Sequence, residues 1–422
     1  MRGEPSNGSN QVQKRKQLAP PDGYSLVNNS YLYHEVQTAV VESNHWDTKC
    51  KWPRTYFKSR NRNVTAQIMP DPAAKLSDLE VVEWQERVAK YVLSLGDITA
   101  DILDLVCIQW LKSDPRNFDE FIEMKASDFL QLRGLKQRSA RGGGSGYRTR
   151  QKKEVEEQIA ILRNFWIQVG ENSQLPGERQ RFFRSTAINT SSEVGIETEE
   201  GEEFIYAWRI RPGDVFMPTL LGDGRTLAPL TEKALQFDPY RRKLEKRLTR
   251  YLTWIWRIRH SKGHETQAIS IQTLLERTKT EVPTRNSLRI KERLEEALDT
   301  LKSNKICENW AYDEETDYDI LEKRGWVSKW LTWKVFIDPP LEVIEYFSQS
   351  NSIQEKPNSI KKSSCLDPLV SEMRKVRKSR GFTQRQLASQ LEISSEYLSK
   401  IEQGRKVPSQ KVVIRINTWM NQ

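Results

Sequence analysis

The sequence predicts a mainly α fold with small β elements (α+β), divided into three small domains behind an N-terminal arm. Three observations lead there. The chain has 422 residues, which at roughly 150 residues per domain asks for two or three separate cores. Residues 153–169 (KEVEEQIAILRNFWIQV) and 292–308 (ERLEEALDTLKSNKICE) repeat one apolar register at an offset of 139. A basic stretch after residue 367 carries short amphipathic helices at close spacing.

Composition narrows the function classes. Lysine plus arginine number 67 against 57 acids, a net charge of +10, so a polyanion is the expected partner. The hydrophobic fraction is 37%, with 13 Trp, 13 Tyr and 13 Phe to fill several small cores. No run approaches the roughly 20 apolar residues of a membrane span, and the N-terminus lacks the apolar centre of a signal peptide. A cytoplasmic, nucleoid-associated protein without membrane contact is expected. Cys50, Cys107, Cys307 and Cys365 form no CxxC pair, so reduced thiols and no zinc site are expected. His260 and His264 flank Ser-Lys-Gly, which reads as a loop rather than a metal site. No metal and no cofactor are expected.

Taken in order, residues 1–74 read as a partly disordered basic arm. Trp46, Trp52, Tyr56 and Phe57 interleave with Lys49, Lys51, Arg54, Lys58, Arg60 and Arg62. Two readings stay open for them: rings stacking on bases while cations neutralise phosphates, or aromatics docking on the next domain. From Ser77 to Leu95 the positions Leu79, Val81, Val82, Trp84, Val88, Val92 and Leu93 recur at helical spacing and predict a core helix. A second helix over about 98–111 buries Ile102, Leu103, Leu105, Val106 and Trp110, and Pro115 ends it. A short strand from Phe121, a helix over 126–132, a basic glycine loop, another helix and a strand follow.

The repeat organises the middle of the chain. At the offset of 139, Glu156-Glu157, Ile159, Leu162 and Ile167 fall on Glu295-Glu296, Leu298, Leu301 and Ile306. A short strand and helix precede each copy (121–132 and 268–278), and an aromatic strand ending at proline closes each, FIYAWRIRP (204–212) and SKWLTWKVFIDPP (328–340), with Trp208 set against Trp333. Strand, helix, helix, strand, long turn, strand is the order of a winged-helix module, whose second helix faces DNA. The copies are assigned to 75–220 and 221–348.

Charge marks the second helix of each copy. In copy two it starts at Asn286, a good N-cap, and Arg285, Arg289, Lys291 and Arg293 crowd its first turns. Cations there oppose the helix macrodipole, at about a few tenths of a kcal/mol each. This favours a phosphate or base contact over a merely solvated face. In copy one seven cations and no acid lie between Lys136 and Lys153, among them Arg148, Arg150, Lys152 and Lys153. The loop ARGGGSGYRT within it is no nucleotide P-loop, since GxxxxGK[ST] is absent. The acidic run 193–203 stands where the first wing belongs, repelled from DNA and suited to a protein partner.

After a polar linker (349–366), whose 18 residues span about 25 Å if flexible, residues 367–422 hold 11 cations and five acids. The stretch RKSRGFTQRQLASQLEISSEYLSKIEQGRKVPS from Arg377 resembles a Cro/repressor-type helix-turn-helix domain. A first helix carries Leu369, Met373 and Val376 inward, Thr383 caps the second, and Leu387, Ala388 and Leu391 fill its inner face. Ser394 opens the third helix, with Leu398 and Ile401 inside. The resemblance implies a phosphate contact at Gln384 and base contacts at Ser394, Ser395, Glu396, Tyr397, Ser399 and Lys400. Glu402, Gly404 and Pro408 reproduce its closing pattern, whereas Glu392 stands where the family usually has glycine.

No HxH pair, P-loop or nucleophile constellation points to catalysis, so a non-enzymatic double-stranded DNA-binding protein is expected. The tandem winged helices resemble plasmid replication initiators of the Rep type. That resemblance implies binding to repeated origin sequences, local melting, a homodimeric form that represses its own promoter, and host replication helicase or initiator proteins as partners. The added C-terminal domain departs from the usual pattern. A transcription regulator binding one operator, or a non-enzymatic DNA-targeting subunit of a mobile element, remain as alternatives.

Overall fold

The computed structural model describes residues 18–59, 62–137, 146–170, 182–197, 203–222, 224–264, 267–282, 287–313, 316, 325–354, 372–374, 376–377, 379–402 and 410–420. Contacts divide the chain into two units that meet between Ser348 and Gln349.

The larger unit opens with β1 (Tyr24–Asn28), α1 (Tyr31–Val40) and the hairpin β2 (Arg54–Ser59) and β3 (Arg62–Ile68). The helices α2 (Asp78–Ser94) and α3 (Asp97–Lys112) follow. The first copy then runs β4 (Ile122–Lys125), α4 (Ala126–Leu132), α5 (Thr149–Arg163), β5 (Phe165–Gly170), β6 (Phe182–Thr186), β7 (Ile188–Glu197) and β8 (Glu203–Pro212). Short helices α6 (Met217–Leu220) and α7 (Lys233–Gln236) flank β9 (Leu227–Thr231) and lead into α8 (Lys243–His260). The second copy is β10 (Ile269–Ser270), α9 (Ile271–Arg277), α10 (Ser287–Ser303), β11 (Trp310–Tyr312), α11 (Trp326–Thr332) and β12 (Lys334–Ile337), closed by α12 (Leu341–Gln354).

Both copies build a three-stranded antiparallel sheet in the same order, first strand, last strand, middle strand: β4-β8-β7 and β10-β12-β11. This is the winged-helix sheet, with a helix pair between its first two strands in sequence. The offset of 139 also holds in packing: Val155, Gln158, Ile159 and Leu162 are buried on α5 as Leu294, Ala297, Leu298 and Leu301 are on α10. One correspondence shifts. Met124 lies opposite Trp208 and Ile269 opposite Val335, each one residue before the helix N-cap. Trp208 therefore matches Val335, and Trp333 matches Tyr206.

Several expectations are corrected. Residues 24–68 are no arm: β1 pairs with β9, and β3 pairs with β5, so the hairpin joins β5 and β6 in a four-stranded sheet. Trp46 is buried edge-on against Phe165 at 5.6 Å, and period-two alternation on β3 buries Val64, Ala66 and Ile68. The copies share one hydrophobic core that runs from Leu26 to Phe347, so 220/221 is no break between separate cores. On α2 only Val88 and Val92 are buried, whereas Leu79, Val82 and Leu93 are exposed. Its start is set by the Ser77–Glu80 capping box rather than by packing. The segment SKWLTWKVFIDPP is helical first, because Trp330 is fully buried in α11, and it becomes a strand only at Lys334. Residues 349–354 belong to α12 rather than to a linker, and 355–371 lie outside the described residues.

The two copies are joined along α3 and α8 by buried charges. Asp97, Asp101 and Asp104 share one face of α3 at spacings of four and three, and Lys246, Arg247 and Arg250 face them from α8. Asp101 accepts from Arg250 at 2.5 Å and from Arg133 at 3.2 Å, and forms an ion pair with Lys246 at 3.0 Å. Arg250 Nε reaches Asp104 at 2.8 Å and Arg247 reaches Asp97 at 2.9 Å. The Lys246 ammonium also caps α7 by donating to the carbonyls of Ala234, Leu235 and Phe237, and burial pushes its pKa down to about 8 against the pull of Asp101. Burial raises the Asp104 carboxyl in spite of Arg250, and Tyr33 donates to it at 2.9 Å.

In the smaller unit, residues 372–374, 376, 377 and 379 are helical, followed by α13 (Gln384–Gln390), α14 (Ser395–Glu402) and α15 (Gln410–Met420). Met373, Leu387, Ala388, Leu391, Leu398 and Ile401 form its core, to which α15 adds Val412, Ile416 and Trp419. The helix α15 goes beyond the elements expected from the sequence. Leu369 lies outside the described residues.

Candidate nucleic-acid interface

Three helix pairs, α4–α5, α9–α10 and α13–α14, place the residues singled out from sequence. On α5 the apolar face is turned into the core, and each acid of the charged face has a partner in the fold. Glu154 accepts from the Tyr240 hydroxyl at 3.0 Å, Glu156 from the Ile205 N–H at 3.4 Å, and Glu157 from the Ser94 hydroxyl at 2.7 Å. Burial raises the Glu156 carboxyl. Arg148, Arg150 and Lys153 are exposed and Lys152 is half-buried. The helix start therefore presents cations outward while its carboxylates are held by neighbouring elements. The Tyr147 hydroxyl donates to the Leu135 carbonyl at 3.2 Å and ties the end of the basic loop to its start, just after α4; residues 138–145 lie outside the described residues.

On α10 two of the cations are engaged as well as acids. Lys291 pairs with Glu295 at 2.7 Å, and the Tyr312 hydroxyl donates to the same carboxylate at 3.0 Å. Arg293 reaches the fully buried Glu245 of α8 at 2.6 Å and also donates to the Arg241 carbonyl. Arg293 thus joins α10 to α8, a role that spacing alone did not reveal. Arg289 is exposed, as is Leu288 beside it. Arg285 and Asn286, with the proposed cap, lie outside the described residues. At the offset of 139, Arg150 falls on Arg289 and Lys152 on Lys291, so each copy carries the same pair of cations near the start of its second helix.

The first wing is acidic where it is described. Arg163 of α5 pairs with Glu193 of β7, and the tip, 198–202, lies outside the described residues. Val194 and Ile196 are exposed on β7.

In the smaller unit Thr383 caps α13 through a capping box with Gln386, and Ser394 caps α14 by accepting the Tyr397 N–H at 3.1 Å. Gln384 donates to Glu402 at 2.7 Å, so its amide is held across the helix pair. Burial works to raise the Glu402 carboxyl, but the Arg377 fork at 2.7 and 3.1 Å and the Gln384 amide hold it below the usual range. Ser394, Ser395 and Glu396 are exposed; Tyr397 and Ser399 are half-buried, with Tyr397 packed against the domain core. Lys400 lies on α14. Gly404 and Pro408 lie outside the described residues. Glu392 takes the left-handed conformation (φ 51°) that glycine adopts freely. Arg415 of α15 compensates, pairing with its carboxylate at 2.5 Å and donating to the Leu391 carbonyl at 2.9 Å.

Among the described residues no helix is long and apolar enough to cross a membrane, and no group of three or more His, Cys, Asp or Glu is placed to hold a metal ion.

No curated protein sequence matches the chain. Among solved structures, the crystal structure of RctB domains 2-3 is similar over 74% of this chain and 99% of that one, with 14% identity and a TM-score of 0.40. A selenomethionine derivative of the same two RctB domains gives 13% identity over the same shares, with a TM-score of 0.38. Residues 373–417 match the helix-turn-helix family, and the chain therefore carries a DNA-binding helix-turn-helix domain.

Proposed function

We propose that the protein is a replication initiator that binds repeated double-stranded origin sequences and has no catalytic step of its own. The observation that carries this reading is the doubled winged helix: two modules with one sheet order and one apolar register, joined by buried ion pairs between α3 and α8. A fixed pair of DNA-reading helices suits adjacent half-sites at set spacing, and the helix-turn-helix domain supplies a further reader. Arg150 and Arg289 are the cations that meet DNA in the two copies, and Ser395, Glu396 and Tyr397 lie on the reading helix of the third module. A homodimer that represses its own promoter, and recruitment of the host replication helicase or initiator proteins, extend the same reading in a cytoplasmic setting.

An origin-rescue assay tests it. The gene and its flanking DNA are placed on a plasmid that lacks a working origin. Colonies that depend on the intact gene, with protection of several direct repeats, are the expected result. No colonies, with protection of one inverted repeat upstream of the gene, makes the protein a transcription regulator instead.

A further inference from the structure

The basic aromatic segment near residue 54 has a place that duplex reading does not use. It forms one edge of the four-stranded sheet β2-β3-β5-β6, and no Asp or Glu occurs in any of the four strands. Alternation sends Val64, Ala66, Ile167 and Val169 into the core and sets Tyr56, Lys58, Thr65, Gln168, Phe182 and Arg184 on the other face, where Tyr56, Lys58 and Phe182 are exposed and Thr65, Gln168 and Arg184 half-buried. One row across that face is Tyr56, Thr65, Gln168 and Arg184, each opposite the next. Arg54 and Lys58 flank Tyr56 on the same side of β2, and Phe182 flanks Arg184 on β6. Tyr56 is 60% exposed and Phe182 52% exposed. Arg54 lies over the Tyr56 ring at 5.4 Å and Arg184 over the Phe182 ring at 5.0 Å. Among the described residues, Asp47 stands 4.0 Å from Arg54.

Rings left exposed on a cationic sheet have nothing to stack on in a duplex, whose bases already stack on each other. They fit unpaired bases, with the cations on the phosphates. From β2 to β6 the face spans three strand spacings, about 14 Å, which is room for more than one base. We propose that the outer face of this sheet binds single-stranded DNA, stacking bases on Tyr56 and Phe182 while Arg54, Lys58 and Arg184 take the phosphates. The proposal rests on the reading of the chain as a DNA-binding protein and deepens it, since a strand freed beside a bound duplex would be held there.

The test is fluorescence anisotropy of the full-length protein with labelled oligo(dT), with a labelled duplex from its own flanking DNA measured in parallel. Oligo(dT) binds, Tyr56→Ala and Phe182→Ala each weaken it about 5- to 150-fold, and duplex affinity does not change. Both rings are more than half exposed, so the variants keep the wild-type unfolding midpoint. Lys58→Ala lowers the salt slope of oligo(dT) binding by about 0.7. Unchanged oligo(dT) affinity in the double aromatic variant overturns the proposal, as does a preference for oligo(rU), or wild-type protein that ignores oligo(dT). If the duplex is ignored while oligo(dT) binding depends on both rings, the platform stands and the initiator reading falls.

Discussion

In the first winged-helix copy the chain leaves the module after α5 to build β5 and β6 beside the N-terminal hairpin, and returns for the ten-residue strands β7 and β8 of the wing. In the second copy it passes from α10 to the three-residue β11, and β12 has four residues. The helices diverge as well: both have acids engaged by the fold, but α10 also has its cations Lys291 and Arg293 engaged. The comparison teaches that the repeat preserves what helix packing needs, one apolar register and one sheet order. What lies outside that register is free to become a wing, an extra sheet or a brace between helices.

The largest expected effect comes from removing what fixes the copies together. Asp101→Asn leaves Lys246, Arg250 and Arg133 with one buried anion fewer, and should cost about 3–5 kcal/mol of stability in urea unfolding. A loss under 1 kcal/mol would mean that the seam relaxes or admits water.

Acid probes the same seam from α1. His34 stacks on Trp254 of α8 at 4.2 Å, and burial, aided by Arg277, pushes its pKa down to about 3. The unfolded chain takes the proton near pH 6.5. Stability should therefore fall from about pH 6.5 toward pH 3, by as much as about 1.4 kcal/mol per unit, and His34→Phe should flatten the slope between pH 7 and 5. An unchanged slope would place the acid sensitivity elsewhere.

Two arginines on α10 separate brace from reader. Arg293→Ala removes a charged hydrogen bond from buried Glu245 and should cost about 1.5–3 kcal/mol in unfolding free energy. Arg289→Ala, at an exposed position, should leave stability within about 0.5 kcal/mol and weaken specific DNA binding by about 1–3 kcal/mol if it reads a guanine. The matched Arg150→Ala in the first copy tests whether both copies read DNA. A footprint that survives both changes would leave sequence reading to the helix-turn-helix, where Tyr397→Ala should change base preference without unfolding the domain.

Much of this molecule was legible in the order of its residues. The apolar spacing of 153–169 and 292–308 determined that two helices pack alike, because a buried face at helical period is a local constraint. The Thr383 and Ser394 caps, with Leu387, Ala388, Leu398 and Ile401 between and beyond them, fixed the helix-turn-helix in the same local way. The place of residues 24–68 was settled only in three dimensions, since β3 finds its partner β5 some hundred residues later, and strand pairing at that distance leaves no periodic trace. The same holds for charge. Three aspartates in the apolar helix α3 were the available signal for a buried partner, at spacings that share one face, but which cations answer them depends on where α8 crosses. Sequence determined which faces must be buried; tertiary structure decided which charges are spent inside, because a side chain's partner is set by packing between elements and not by its neighbours in the chain.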